Sequence, residues 1–403
     1  MAYQRPVWTF PWGYTEGFAI AAGLLFAGAA IQLTTNCYIP LPSQPFNLIA
    51  LPVFIILLIF IQWKGKRNQF VIWLSSIPAS VSSIALLALL ALLMGFIRQD
   101  ENAPASLLLL NIKHSWMYLL SQLFLLTTLG LTIIRRFSLK PRNAGFMLNH
   151  LGLWIVLSGA AFGSGDLERY TMRVEKNNIE WIGSDKNGKQ HELPIAIYLT
   201  DFTIEYYPPQ TGIWSQSQQK LLKNPSFTLQ QTDTIFKWES YEFEIKQILK
   251  NGWLMGDTFR EAPIPGAVQA ALVCIRSENA NEKCGWISSA SPLQQPFSIA
   301  INEDLELLMK PPKARLYQSD IIVYTKEGSE VTSAVAVNRP LTIDGWKIYQ
   351  FGYDETMGKW SSSSIFELVR DPWLPVIYAG LCLLLCGAIF MFLTGVNSKK
   401  KKE

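Results

Sequence analysis

The stretch FMLNHLGLWIVLSGAAFG, residues 146–163, contains no charged residue and is long enough to cross a bilayer as a helix. Five further apolar runs have spanning length: residues 17–33, 46–63, 70–97, 116–134 and 373–394. The composition agrees, because 49% apolar residues with only 16% charged residues is too apolar for an ordinary soluble enzyme. The sequence therefore predicts six transmembrane helices, of which the quoted stretch is the fifth.

Residues 164–372, between the fifth and sixth apolar runs, have a different pattern. Short runs alternate apolar and polar residues and are rich in β-branched and aromatic side chains, as half-buried strands are. The predicted strands are residues 193–205, 236–248, 270–275, 315–324, 334–337 and 346–352, and the predicted turns are the Asn-Gly pairs 187–188 and 251–252 and the Asp-Gly pair 344–345. We therefore expect an all-β, sandwich-like domain. The chain then divides into a five-helix region (1–163), this domain (164–372) and a sixth helix with a basic tail (373–403).

Basic residues in the short loops lie mainly on one side of the predicted membrane. That side carries twelve of them: Arg5, Lys64, Lys66, Arg67, Arg135, Arg136, Lys140, Arg142 and residues 399–402. On the other side residues 35–44 are uncharged, and the two basic residues of 98–113 are matched by Asp100 and Glu101. Because cytoplasmic loops are enriched in Lys and Arg, we expect a multi-pass membrane protein with both termini cytoplasmic and residues 164–372 outside the cytoplasm. Clustering in short loops also argues against a nucleic-acid partner.

The five cysteines form no CxxC or CxxCH motif, so the sequence supports neither a zinc site nor covalent haem attachment. Cys274 and Cys284 both lie in the predicted β domain, one in a strand and one after a polar stretch. An oxidising compartment could join them across a hairpin, and two unpaired thiols are the alternative. Only geometry can decide between them.

His150 is one of three histidines in the chain and lies within the fifth predicted helix, near its cytoplasmic end. Ionisable groups in membrane spans are costly and mark an ion path, a relay or a cofactor ligand, and imidazole is the common protein ligand of haem iron. Gly152, Gly159 and Gly163 on the same helix would let a neighbouring helix or a flat macrocycle approach closely. The alternative is a structural histidine that is hydrogen-bonded to another helix.

Trp154 follows His150 by about one helical turn and could line the same pocket, or it could pack against lipid or the protein core. No GxSxG, phosphate-binding glycine loop or HExxH motif is present, so no catalytic residue is predicted.

Several segments, in this order, resemble the ResB-like family of cytochrome c biogenesis proteins. They are LPIAIYLTDF (193–202), YQSDIIV (317–323), VNRPL (337–341), DGWKIYQ (344–350) and RDP (370–372), followed by a helix with Tyr-Ala-Gly at 378–380. His150-Leu-Gly-Leu resembles the family's histidine-bearing helix, which precedes its external domain. The resemblance extends over roughly residues 70–395.

The resemblance implies the smaller half of the System II haem delivery machinery of a bacterial inner membrane, which works with a CcsA-like membrane protein. It also implies that the external domain, here residues 164–372, is periplasmic. It implies that His150 binds haem b axially from the cytoplasmic side, either in transport or transiently, while the partner supplies the second ligand. The external domain would then present apocytochrome c, whose thiols are kept reduced by thiol-reducing proteins.

The chain departs from that family in two respects. The helices predicted at 17–33 and 46–63 are additional, and no tryptophan-rich segment is present, so this chain is not expected to ligate haem to cytochrome alone. Two other hypotheses stay open. The first is a non-catalytic assembly scaffold, and the second is a receptor or transporter component that binds a partner through its β domain without haem.

Overall fold

The computed structural model describes residues 6, 8–138, 140–277 and 280–400. Of the basic residues that predict the topology, Arg5, Lys401 and Lys402 lie outside the described residues. The chain forms two compact units, one of helices, which ends at Leu167 and resumes at Asp371, and one of strands, Glu168–Arg370.

Within the described residues, the helical unit contains six α-helices that are long and apolar enough to cross a membrane, one short α-helix, and two 3₁₀ helices at Ile112–His114 and Pro141–Asn143. The helices are α1 (Tyr14–Thr35), α2 (Phe46–Lys64), α3 (Gln69–Leu74), α4 (Ile77–Phe96), α5 (Trp116–Arg135), α6 (Ala144–Phe162) and α7 (Leu374–Lys400). The short helix is α3. The prediction of six spanning helices, with the β domain after the fifth, is confirmed.

The apolar run at 70–97 is not one helix as predicted, because α3 ends at Leu74 and α4 begins at Ile77. The Ser75 hydroxyl donates to the Ile72 carbonyl at 3.0 Å, and the Arg135 guanidinium donates to the same carbonyl at 3.1 Å. Pro78 then lies in the first turn of α4, where its missing N–H costs nothing. The sequence pattern misses this break because the run is apolar on both sides of it.

In the described part of the second unit there are seventeen strands, and the pairings between them are antiparallel. They are β1 (Glu168–Glu175), β2 (Ile179–Ser184), β3 (Gln190–Tyr206), β4 (Thr211–Ser215), β5 (Lys220–Leu221), β6 (Ile235–Trp238), β7 (Tyr241–Met255), β8 (Thr258–Glu261), β9 (Val268–Ser277), β10 (Ala280–Ser288), β11 (Ser298–Ala300), β12 (Leu305–Met309), β13 (Ala314–Thr325), β14 (Glu330–Ala336), β15 (Leu341–Ile343), β16 (Trp346–Tyr353) and β17 (Ser363–Arg370).

The first and last strands of this unit build one eight-stranded sheet in the order β14-β13-β3-β2-β1-β17-β16-β15. Its two ends approach each other, because β14 contacts both β15 and β16. The sheet therefore curls around a single apolar core, whose largest fully buried members include Trp346, Phe366 and Met172.

The strands from β4 to β12 are inserted between β3 and β13 and form two smaller sheets. One sheet has the order β10-β9-β7-β6, with β8 paired to β7, and the other has the order β11-β12-β4-β5. A second core, which includes Phe243, Ile213 and Ile287, contains side chains from both sheets. The predicted all-β, sandwich-like class is confirmed, with the sandwich built as an insertion into a curled sheet.

Local predictions succeed at the Asp-Gly turn and fail at two other places, one of which is the predicted turn at 251–252. Asp344 and Gly345 have φ values of 47° and 78° and connect β15 to β16, as the Asp-Gly pair predicts. The predicted strand 236–248 is instead a hairpin of β6 and β7 that turns at Glu239, which has φ 52°. Asn-Gly at 251–252 lies inside β7 at an irregularity in its pairing with β9, where a Cβ on Gly252 would come within 2.9 Å of the Ala270 Cβ.

Candidate functional site

The His150 side chain is half-buried on α6 and is bound to its own helix. Its Nδ1 atom lies 3.0 Å from the carbonyl oxygen of Phe146, one turn earlier. A carbonyl can only accept a hydrogen bond, so Nδ1 carries the proton and Nε2 of the neutral ring keeps its lone pair. Within the described residues, nothing is hydrogen-bonded to Nε2. This is the tautomer in which an imidazole binds a metal while its other nitrogen donates to a carbonyl.

An aromatic ring stacks on this imidazole, and a cation lies beside that ring. The Phe146 ring stacks on the His150 ring with centroids 3.9 Å apart, and the Arg136 guanidinium lies 5.5 Å from the centre of the Phe146 ring. Arg136 follows the end of α5 directly. The Phe146 ring therefore contacts both the His150 imidazole and the Arg136 guanidinium.

Trp154 is buried in the contact between α5 and α6. Its indole Nε1–H donates to the Leu126 carbonyl at 3.0 Å, and a Cβ on Gly130 would lie 3.0 Å from the same nitrogen. The indole thus packs closely on α5, which is the packing alternative that the sequence leaves open. Its role beside a cofactor stays a prediction.

The glycines of α6 are occupied by the helix that follows the β domain. A Cβ on Gly152 would come within 2.7 Å of the Gly380 carbonyl oxygen of α7, and one on Gly159 within 3.2 Å of Ile377. A Cβ on Gly163 would lie 2.3 Å from the Trp373 ring. These close approaches answer the question raised by the sequence: a neighbouring helix, and not a macrocycle, uses the space beside Gly152 and Gly159.

A carboxylate joins three segments at the other end of α6. Asp166 accepts hydrogen bonds from the Asn47 side chain at 2.6 Å and from the Trp373 indole at 2.7 Å. It also accepts one from the backbone N–H of Gln44 at 2.7 Å. The end of α6 is therefore fixed to the beginnings of both α2 and α7, which makes this end rigid while His150 lies near the opposite end.

The structure joins Cys274 to Cys284 in a disulfide. The two residues face each other on β9 and β10, with Cys274 buried and Cys284 exposed. Glu282 lies beside them, so the three side chains are grouped closely enough for a metal ion. A disulfide has no thiolate to offer, so the pair acts as a cross-link of the inserted sandwich.

Titratable groups of the β unit have structural partners. Asp185 accepts a hydrogen bond from His191 at 3.1 Å, and this bond is the main reason why the pKa of Asp185 is lowered. Burial lowers the pKa of Lys359, whose Nζ donates to the Lys250 carbonyl at 3.0 Å.

One protein-family model matches part of the chain. The model of the ResB-like family matches residues 279–365. This segment is ResB-like. The predicted resemblance is confirmed for this segment, which extends from β10 into β17 and includes the motifs at 317–323, 337–341 and 344–350. Its predicted extent over roughly residues 70–395 stays a prediction. No curated protein matches the sequence. A match to the ResB-like family suggests involvement in cytochrome c biogenesis.

The ResB-like segment lies in the β unit, whereas His150 lies on α6, outside the matched residues. Sequence reasoning found His150 because an imidazole is rare in an apolar helix. It missed Phe146 as a ring partner and used Arg136 only as a topology marker. The spacing of four residues between Phe146 and His150 was the available signal, since such residues lie on one helix face.

Proposed function

We propose that this chain is a haem-handling subunit of a System II cytochrome c synthase complex. In this proposal His150 of α6 is an axial ligand of haem b, which the chain transports or holds transiently. A CcsA-like membrane protein supplies the second axial ligand and the bond-forming centre, so this chain alone is not a haem lyase.

The single observation that carries the proposal is the state of the His150 ring. A structural histidine would use its polar atoms to hold another helix, but the hydrogen bond of His150 goes to Phe146 of its own helix. The Nε2 lone pair is thereby left for a ligand, and imidazole nitrogen is a common axial ligand of haem iron. Within the described residues, this arrangement supports a ligand role better than a structural one.

The neighbours of His150 suit the other parts of haem. A porphyrin is flat and apolar and carries two propionates, and the Phe146 ring with the Arg136 guanidinium offers an aromatic surface and a cation. Guanidinium groups bind carboxylates with charge-assisted hydrogen bonds. We expect Arg136 to pair with a propionate and Phe146 to contact the macrocycle.

The same proposal assigns the membrane and its sides. The chain is proposed to lie in a bacterial inner membrane, and the excess of Lys and Arg after α2 and α5 supports an orientation with both termini in the cytoplasm. The β unit is then periplasmic and presents apocytochrome c, whose cysteines are kept reduced by thiol-reducing proteins. Haem enters at the His150 end of α6, which is the cytoplasmic end.

The test is the visible absorption spectrum and the haem-to-protein ratio of the complex purified in detergent with its CcsA-like partner. We compare the wild type with His150→Ala, with and without added imidazole, and use His114→Ala as the matched control. His114 precedes α5 at the far end of the helices, where its Nδ1 lies 2.8 Å from the Asn111 side chain. We expect haem in the wild type and in the His114→Ala variant, loss in the His150→Ala variant, and recovery with imidazole.

Two outcomes would contradict the proposal. Haem that is retained unchanged in the His150→Ala variant would remove the ligand assignment. Absence of haem from every sample would favour a non-catalytic scaffold or receptor, in which the β unit binds a protein partner and no haem is involved.

A further inference from the structure

A cavity of about 640 Å³ lies in the helical unit, lined by α2, α5, α6 and the loop that leads into α2. This volume is within the range of about 300–1,000 Å³ that ligand sites have. Its walls are mostly apolar, and the small side chains of Ala50 and Ala161 leave open space that larger residues would fill. His150 does not line it.

The polar side chains of this cavity are concentrated at one end. Lys113 and Ser115 precede α5 and Tyr118 is in its first turn, whereas Leu123 and Leu126 line the cavity farther along the helix. Gln122 is the exception, and its side chain is hydrogen-bonded to Tyr118. The cavity is thus amphipathic along its length, with a polar mouth and an apolar interior.

The length of the cavity matches one leaflet of a membrane. From Ser115 to Leu126 the rise of α5 is about 16 Å, at about 1.5 Å per residue. Half of the hydrocarbon core of a bilayer is about 15 Å thick. At the inner end the Leu126 carbonyl accepts the Trp154 indole N–H, so Trp154 packs at the limit of the cavity. A space of this length and polarity fits an acyl chain beneath its headgroup.

The positive charge at the polar end of the cavity favours anionic lipids. Lys113 is exposed, and none of the carboxylates in the described part of the chain forms an ion pair with it. We infer that the cavity binds one anionic phospholipid, whose phosphate pairs with Lys113 and whose acyl chain lies along α5 between Ala50 and Ala161. This site is separate from His150, so the inference does not depend on haem binding.

The test is native mass spectrometry of the full chain released from nanodiscs that contain equal amounts of phosphatidylglycerol and phosphatidylcholine. The wild type is expected to retain one phosphatidylglycerol in preference to phosphatidylcholine. Lys113→Gln should lower the retained fraction about fivefold, the effect of one basic residue near an anionic headgroup. Its matched control is Lys66→Gln, at an exposed lysine after α2.

A second pair of variants tests the cavity itself. Ala161→Trp should fill the space and abolish retention, whereas Ala91→Trp adds the same side chain to an exposed position of α4 and should not. Equal retention of both lipids in the wild type, or equal phosphatidylglycerol retention in all variants, would overturn the inference. So would a porphyrin that is lost on Ala161→Trp in place of a lipid. Haem content, measured on the same samples, reports separately on His150.

Discussion

Helix α6 is packed in opposite ways on its two sides. Towards α7 its glycines bring backbone against backbone, since a Cβ on Gly152 would reach both the Gly380 carbonyl and the Leu384 amide. Towards α5 the contact is made by a large side chain, Trp154, which is bonded to the Leu126 carbonyl. The free nitrogen of His150 lies one turn before Trp154 on this second side, and the cavity lies beyond it.

The difference shows which side of a membrane helix has room for a ligand. Small residues let two helices approach until nothing fits between them, which stabilises the pair and excludes a ligand. Long side chains separate the helix axes and leave room at both ends of the contact. With 3.6 residues per turn, His150, Trp154 and Ala161 share the face opposite Gly152, so a single helix combines a rigid side and an accessible side.

The largest effect on stability is expected from Gly152→Ala, which would disrupt the close packing of α6 on α7. The added Cβ would lie 2.7 Å from the Gly380 oxygen and 2.8 Å from the Leu384 nitrogen, so α7 must move away. Overpacking of this kind lowers the free energy of unfolding by about 1–3 kcal/mol. Denaturation of the full chain in detergent, followed by circular dichroism, measures it.

Gly95→Ala is the control for this substitution, because Gly95 on α4 has nothing within 4 Å of an added Cβ. There alanine should raise stability by up to about 1 kcal/mol through its better helix propensity. Equal stabilisation at both positions would show that α6 and α7 are not in backbone contact, and the comparison of the two sides would fail.

A smaller effect is expected on the other side from Trp154→Phe. Phenylalanine keeps an aromatic ring but loses the hydrogen bond to Leu126, which stabilises the fold by about 1 kcal/mol. Trp116→Phe is the matched control, because the buried Nε1 of Trp116 has no hydrogen-bond partner in the described structure. If both variants lose the same stability, the Trp154 hydrogen bond does not hold α5 to α6.

The helices and most strands could be predicted because their signals are local. An apolar run identifies a span whatever it contacts, and alternation identifies a strand such as β3 or β13. The pairing of these two strands joins Ile204 to Tyr317 across the whole inserted sandwich. No local pattern encodes such a partner, so the nesting of one β module in another required the structure.

The candidate site likewise has a part that could be predicted from the sequence and a part that could not. His150 could be identified from the sequence, since an ionisable side chain in an apolar helix is costly and therefore indicates a function. Its hydrogen-bond partner could not, because Phe146 and a residue on another helix are equally compatible with the pattern. The glycines were ambiguous too: Gly152 suits a helix or a macrocycle, and only the approach of Gly380 shows that α7 occupies the space.

The smallest effect is expected from His150→Ala on stability, as distinct from its effect on haem. The hydrogen bond of the imidazole goes to the Phe146 carbonyl of the same helix. Removal of the ring leaves this carbonyl in its position within α6. The free energy of unfolding should change by less than about 0.5 kcal/mol, as for substitutions that leave no buried group unpaired. The same denaturation assay, on samples without haem, measures it. A loss comparable with that of Gly152→Ala would instead show that His150 is a packing residue. Both sides of α6 would then be rigid.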